Sequence, residues 1–300
     1  MNAGLLGYPI GHSLSPVIHN AAYQALGLDW QYELYPCADR AAFEAVLSEA
    51  LANPEDYVGF NVTTPYKALA FEVASEHAST TQLIHNANVL SVVRPAEAIA
   101  SASACIRSAN TDGQGLVAFL ERGAGVTLLG SKVVLCGTGA VALSTLATLL
   151  GRQVASITVV SRNALQAQVR IGALCGQLAA TQEQGAPLPE PVVIDYQDIA
   201  PSLTNADVLI DATTVGMDTA DEAVLPTHLI RPHTIVCDLV YGHGETALLK
   251  GARQQGAQAY DGLGMLVEQA ALTIELWAQE QGLIVEAPRE LMLATARAGF

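Results

Sequence analysis

The chain has 300 residues, half of them apolar, and a formal charge of -15 from 14 basic and 29 acidic residues. That length makes one large or two ordinary domains, and the acidic balance repels nucleic acid and anionic membrane. No apolar run approaches the roughly 18 residues of a membrane span, and the N-terminus lacks the order of a signal peptide, so a soluble cytoplasmic protein is expected. Five scattered cysteines, never in a CxxC, read as small buried hydrophobes, and no His/Cys/carboxylate cluster has metal-ligand spacing. An anionic ligand needs local positive charge here, and cations are few.

In chain order, Gly4 to Gly7 is predicted as a short strand ending in the turn Tyr8-Pro9-Ile10-Gly11. In His12-Ser13-Leu14-Ser15-Pro16, Ser15 can cap a helix that Pro16 opens and that runs to about Gly27. Ser13 and Ser15 then share a helix N-terminus, where hydroxyls and N–H groups suit a carboxylate; plain capping explains Ser15 but not Ser13. Strand Gln31 to Tyr35, helix Ala41 to Leu51, strand Tyr57 to Val62 and helix Pro65 to Ala74 follow. Such alternation argues a largely parallel sheet flanked by helices.

Asn61-Val62-Thr63-Thr64-Pro65-Tyr66-Lys67 is the most informative stretch. Thr64-Pro65 reads as a hydroxyl cap and a first-turn proline, which puts Lys67 in the first turn of a helix. The dipole there disfavours a cation by roughly 0.3–1 kcal/mol, a cost to a structural lysine and an advantage to one that gives and takes a proton. The ordinary alternative is an exposed lysine at a loop–helix junction. Against it, the chain has only three lysines, and this one follows Asn61, Thr63 and Thr64, side chains suited to a polyhydroxylated ligand.

Thr80 to His85 is predicted as a helical turn and Ala87 to Val93 as a strand, while residues 95–108 read as an enlarged surface loop without chemistry. Asp112 reads as a helix cap before Gly115 to Leu120. Lys132 to Cys136 is a buried strand, Gly137-Thr138-Gly139-Ala140-Val141-Ala142 a GxGxxA turn, and Leu143 to Leu150 a helix. Strand, turn and helix in that order make a dinucleotide fingerprint, with the pyrophosphate on the helix N-terminus. The next strand, Ser156 to Val160, ends in Ser161-Arg162-Asn163 instead of the acidic residue of NAD enzymes, which suits the 2′-phosphate of NADP. Helix Ala164 to Ala180, a polar loop to Pro191, strands Val192 to Ile194, Val208 to Ile210 and Thr234 to Cys237, helices Thr246 to Gln255 and Leu263 to Glu280, and a last helix from Pro288 complete the pattern.

Seven motifs in register resemble the shikimate dehydrogenase family. They are the GxPxxHSxSPxxHN run through Ser13 and Ser15, the NVTxPxK run ending at Lys67, Asn88 within Asn86-Ala87-Asn88-Val89, Asn110-Thr111-Asp112-Gly113, the glycine turn, Asp238-Leu239-Val240-Tyr241, and Asp261-Gly262-Leu263-Gly264-Met265 through Gln269-Ala270. Asp211-Ala212-Thr213-Thr214-Val215-Gly216-Met217 also resembles a family strand end, with Asp211 in place of asparagine. Val89 and Asn86 replace a threonine and a glycine, and Gln166 stands where relatives carry a second basic residue.

The resemblance implies two α/β domains with a cleft between them: a substrate domain, 1–112 with 263–300, and a Rossmann-type NADP domain, 113–262. It implies reversible NADP-dependent oxidation of shikimate to 3-dehydroshikimate. Lys67 would be the acid–base group and Asp112 its orienting partner. Ser13 and Ser15 would hold the carboxylate, and Thr63, Asn88, Tyr241 and Gln269 the ring. Gly137, Thr138, Gly139, Ala140, Ser161, Arg162, Asn163, Thr213, Leu239, Gly262 and Met265 would line the cofactor. Alternatives are an NAD-dependent quinate/shikimate dehydrogenase, which Gln166 favours, and a non-catalytic metabolite sensor, which would lack Lys67 or Asp112. The implied partner is the small-molecule substrate, with no metal, nucleic acid or membrane; a homodimer is a possible assembly.

Overall fold

The computed structural model describes residues 1–94, 103–181, 188–218 and 220–299. The chain forms two compact units, Met1–Thr111 with Val267–Phe300, and Asp112–Leu266. The first unit opens with β1 (Asn2–Gly7), α1 (Ser15–Leu26), β2 (Gln31–Pro36), α2 (Arg40–Ala52), β3 (Tyr57–Val62) and α3 (Lys67–Val73). It continues with β4 (Glu76–His77), α4 (Ser79–Ile84), β5 (Val89–Val93) and β6 (Cys105–Ala109). The second unit holds α5 (Asp112–Ala118), β7 (Lys132–Cys136), α6 (Ala140–Leu150), β8 (Ser156–Val160), α7 (Ala164–Thr181), β9 (Val192–Ile194) and α8 (Ala200–Leu203). After these come β10 (Val208–Asp211), β11 (Ile235–Asp238), α9 (Ala247–Gln254) and β12 (Gln258–Tyr260). The chain ends with α10 (Leu263–Glu280) and α11 (Arg289–Ala298). Among the described residues, no helix is long and apolar enough to cross a membrane, and no group of three or more His, Cys, Asp or Glu side chains could hold a metal ion.

The first sheet has the order β2-β1-β3-β5-β6-β4 and is mixed. Its β1 pairs are parallel, whereas β5 runs antiparallel to both β3 and β6. With β4 parallel to β6, three of the sheet's five described pairings are parallel, in line with the expected parallel-rich sheet, and one expectation is corrected, that 95–108 is an irregular surface loop. Cys105 to Ser108 belong to β6, with Ile106 and Ser108 buried and Arg107 turned outward, and a buried serine beside an arginine hides the period-2 pattern from the sequence. Residues 95–102 of that stretch lie outside the described residues.

Every residue of β3 is buried. One face, with Phe60 and Val62, packs on Phe43, Leu47, Tyr66 and Leu90; the other presents Gly59 and Asn61. A methyl on Gly59 would overlap the Leu90 carbonyl oxygen and the Trp277 ring, so only glycine lets the α10 tryptophan close over the sheet. His19 is also fully buried, stacked on Tyr32 at 4.1 Å with Nδ1 3.2 Å from the Tyr23 hydroxyl, and desolvation pulls its pKa down to about 3. Arg289, at the start of α11, grips α10 through Glu268 at 2.9 Å and both oxygens of Glu275 at 2.7 and 3.1 Å. Such a two-pronged pairing fixes orientation as well as position.

The second sheet is parallel throughout, in the order β12-β11-β10-β7-β8-β9. Successive crossovers run outward from β7 to one side and then from β10 to the other, so the strand order reverses between β7 and β10. In open α/β sheets that reversal is where nucleotides bind. Beside it, Asp211 and Asp238 are in register at the ends of adjacent strands, each about 1% exposed. Asp238 is held by the Thr246 hydroxyl at 2.6 Å and the Val240 N–H at 3.1 Å, and Asp211 by the Thr213 N–H at 2.9 Å. Burial, offset in part by those Thr213 bonds and reinforced by Asp238, raises the Asp211 pKa to about 6.

Two outcomes are expected. Gly59→Ala should lower stability by about 1–3 kcal/mol, the usual cost of overpacking, read from denaturant midpoints; an unchanged midpoint would contradict the close approach. For Asp211, the folded state holds its proton more tightly than the unfolded chain, so its contribution is lost as pH rises from about 4 through about 6. Asp211→Asn should therefore stabilise the protein by about 1–3 kcal/mol at pH 8, with the gain vanishing below pH 4, as followed by Tm across that range. A gain that does not change with pH would refute the assignment.

Candidate active site

In the first unit, Lys67 is the first residue of α3. The Thr64–Pro65 peptide is cis, and the Tyr66 N–H donates to the Thr63 carbonyl at 3.0 Å, so Thr63 to Tyr66 is a reverse turn. Thr64 is thus not the helix cap, and Pro65 is not in the first turn. Tyr66 occupies the cap position, without a side-chain bond. With seven residues, α3 also has few peptide dipoles to sum, which weakens the dipole argument for Lys67. What places Lys67 is its backbone: its carbonyl accepts the Ala87 N–H at 2.9 Å, next to Asn88. The Thr63 N–H donates to Leu6 at 2.9 Å, tying the same turn to β1.

Asn88 is the centre of a buried hydrogen-bonded cluster. Its amide oxygen accepts the Thr111 N–H at 2.8 Å, and its amide nitrogen donates to the Thr111 hydroxyl at 3.1 Å and to Gln269 Oε1 at 3.4 Å. Its carbonyl takes the Val62 N–H at 2.8 Å and Asn61 Nδ2 at 3.2 Å. Asn61 in turn accepts from the Tyr32 hydroxyl at 2.9 Å and donates to the Thr273 hydroxyl at 3.3 Å. Asn61 is therefore structural, although its sequence neighbourhood suggested a ligand contact. Gln269 comes from α10, one turn before Thr273, whose hydroxyl donates to the Gln269 carbonyl at 2.9 Å. The replacement at Val89 is a fully buried strand residue, and Asn86 keeps its loop closed by accepting Asn110 Nδ2 at 3.3 Å.

The serine pair is arranged the opposite way from expectation. Ser15 lies inside α1 and Leu14 is the cap residue, without a side-chain bond. The Ser15 N–H donates to Ser13 Oγ at 3.2 Å, and the Ser13 hydroxyl donates to Ser15 Oγ at 3.1 Å. Ser13 is the residue with the local capping role, and the two hydroxyls lie side by side at the helix start.

In the second unit, Asp112 is buried in the first turn of α5. The next residue fixes it: the Gly113 N–H donates to Ser144 Oγ at 2.9 Å, and a methyl on Gly113 would overlap the Ser144 carbonyl. Helices α5 and α6 thus touch backbone to backbone there. Gly137 has a φ of 102°, and its N–H donates to Val160 at 2.9 Å. Gly139 is the cap of α6, which has no side-chain cap bond, and a methyl there would meet nothing within 4 Å. Thr138 is half-buried between them, and Ala140 opens the helix.

At the end of β8, Ser161 is buried and its hydroxyl accepts the Asn163 N–H at 3.3 Å, while Asn163 Oδ1 accepts the Gln166 N–H at 3.1 Å. Arg162 between them is exposed. Thr213 sits after Asp211, its hydroxyl accepting the Val215 N–H at 3.2 Å. Leu239 is half-buried, its N–H donating to the Asp211 carbonyl at 2.9 Å. Tyr241 is half-buried, with its phenol pushed up by desolvation. Gly262 packs directly on the Leu239 carbonyl, where a methyl would overlap it, and Met265 is buried.

Sequence reasoning missed Tyr32, Thr111 and Thr273 as supports of Asn88. Thr273 stands four residues after Gln269 on one helix face, a spacing that could have pointed to it; nothing in the sequence marked Tyr32.

Comparison with known proteins gives three results. A family model described as the shikimate dehydrogenase substrate binding domain matches residues 5–90. The shikimate dehydrogenase (NADP(+)) of Geobacter sulfurreducens is 30% identical over 297 residues, covering 99% of this chain and 96% of its own; that of Acidovorax sp. strain JS42 is 36% identical over 275 residues, covering 91% and 89%. A crystal structure of a shikimate dehydrogenase in complex with NADP+ superposes with a TM-score of 0.83 at 27% identity, over 99% of this chain and 94% of that one. On sequence identity across nearly its whole length, the chain belongs to the shikimate dehydrogenase family.

Proposed function

We propose that this protein is an NADP-dependent shikimate dehydrogenase, catalysing the reversible oxidation of shikimate to 3-dehydroshikimate. One observation supports the reading: the buried amide of Asn88 bonds Thr111, with Asp112 next in sequence, and Gln269 of α10, while the Ala87 N–H beside it bonds the Lys67 carbonyl. Asn88 and Gln269 are two of the side chains that the family resemblance implies for the substrate ring.

A secondary alcohol loses hydride only as its hydroxyl proton leaves, so a base must stand at that oxygen. Lys67 takes the proton at Nζ and returns it in the reverse direction. Asp112 accepts a hydrogen bond from the same hydroxyl and orients the ammonium. The paired Ser13 and Ser15 hydroxyls bind the substrate carboxylate at the start of α1, and Thr63, Asn88, Gln269 and Tyr241 hold the ring hydroxyls.

For the cofactor, the open space at Gly139 and the uncapped α6 N-terminus fit a pyrophosphate. Thr138 and Ala140 complete that turn. Thr213, Leu239, Gly262 and Met265 line the nicotinamide side, and Ser161, Arg162 and Asn163 the adenosine side. NADP, when bound, supplies the hydride acceptor. A second reading, an NAD-dependent quinate/shikimate dehydrogenase, rests on Gln166 standing where a second basic residue is usual. Rates on both substrates with both cofactors separate the two.

Lys67→Ala should lower kcat for shikimate by roughly 10²–10⁴-fold, the range of a general acid–base group, with a much smaller change in KM. Near-normal turnover would remove Lys67 from the mechanism. Ser13→Ala should instead act mainly on KM, raising it by roughly tenfold, the worth of one hydrogen bond to a charged group. A fall confined to kcat would take Ser13 out of carboxylate binding.

A further inference from the structure

The cofactor reading above leaves a gap, because in an acidic chain the 2′-phosphate of NADP would meet Arg162 alone, with Gln166 beside it. The structure fills the gap from one turn further along α7. Arg170 Nη1 donates to the Thr138 carbonyl at 3.3 Å, inside the glycine turn. That contact is informative because α7 leads away from the strand end at Ser161. Side chains on a helix tilt toward its N-terminus, so Arg170 extends back along α7 toward the start where Asn163 and Gln166 sit. Gln166 and Arg170 are four residues apart and share one helix face.

Two other arginines of this unit are committed elsewhere. Arg152 pairs with Glu121 at 3.5 Å, and Arg253 pairs with Glu245 and donates to the Ala259 carbonyl at 2.9 Å. Lys132 stands at the opening residue of β7, the far end of the strand from the glycine turn. Arg162 directly follows Ser161 at the strand end, and Arg170 touches the turn.

We propose that Arg170 is a specificity-determining residue for the 2′-phosphorylated cofactor, supplying with Arg162 the positive charge that Gln166 lacks. The inference rests on the NADP reading. A guanidinium carries five N–H donors in a planar fork, so one can stay on Thr138 while others engage phosphate oxygens in pairs. A lysine would do this less well, since its three donors radiate from one nitrogen and lack the planar fork. The Thr138 contact also holds the side chain in place before the ligand arrives, which lessens the ordering cost of binding.

The test is calorimetric titration of the full chain with 2′,5′-ADP and with 5′-AMP, which differ only by the 2′-phosphate. The wild type should bind 2′,5′-ADP more tightly. Arg170→Ala should weaken 2′,5′-ADP by roughly 10–100-fold, the worth of a charged hydrogen bond, and leave 5′-AMP within about twofold. Arg170→Gln keeps a donor for Thr138 without the charge and should lose as much, and Gln166→Arg in the Arg170→Ala background should recover most of the loss. Equal weakening of both ligands would make Arg170 a support of the glycine turn, and no change in either would make it a surface arginine; both overturn the proposal. If the wild type itself does not discriminate the two ligands, the NADP reading fails first, and that result is separate from any variant. Should Arg170→Ala fail to fold, Arg170→Gln decides alone.

Discussion

The first unit depends on a primary amide almost wholly withdrawn from water. Asn88 is buried, and an amide taken out of water must have its hydrogen-bonding groups met inside the protein or lose about 1–3 kcal/mol for each that is not. The chain meets that demand with Thr111 from beyond β6, Gln269 from α10, and the end of β3. Segments 23 and 181 residues away in sequence are thereby held to the same few ångströms. Because the bonds interlock through Thr273, Asn61 and Tyr32, a shift in any member leaves another buried group unmet. Polar rigidity of this kind suits a site that must grip a ring bearing several hydroxyls, since apolar packing alone does not fix the direction of a hydrogen bond.

The second unit obeys a different constraint, close backbone approach. Gly113 lies on the Ser144 carbonyl and Gly262 on the Leu239 carbonyl, each without room for a methyl group. These glycines belong to the motifs shared with the family, and the structure gives each a packing reason of its own, a backbone contact that leaves no room for a side chain. The glycine turn differs in kind: Gly139 faces open space, which is what a backbone that must approach a phosphate requires. Around the same strand ends the chain tolerates two neighbouring acids, Asp211 and Asp238, by giving each a set of donors and by letting burial favour a proton on Asp211.

Much of the second unit was legible in the sequence. Apolar strands such as Lys132–Cys136 and Ser156–Val160 are bounded by glycine or polar turns, and the periodicity of α7 and α10 runs unbroken over 18 residues each. The first sheet was harder to read. The alternation of β6 is carried by Ile106 and a serine, too little apolar character to declare a strand, and pairing direction is set by β5 and β6 lying side by side, which no local pattern encodes. Helix starts misled for a related reason: Thr64-Pro65 and Ser15-Pro16 have the composition of caps, but a cis peptide in one case and a helical Ser15 in the other assign those residues to other positions. In the site, motif residues such as Lys67 and Gln269 could be named beforehand. The supports of the cluster around Asn88, Tyr32 and Thr273, could not, since their role exists only once distant segments meet.

The parallel sheet of the second unit is bordered by β9 and β12, each three residues long. A border strand is a template on which a foreign segment can extend a sheet, and its reach is set by the number of unpaired peptide groups it offers. Three residues present too few to hold an incoming strand in register. The outermost rows of this sheet are thus poor nuclei for aggregation, a protection that comes from their brevity and, at β9, from Pro191 directly before it.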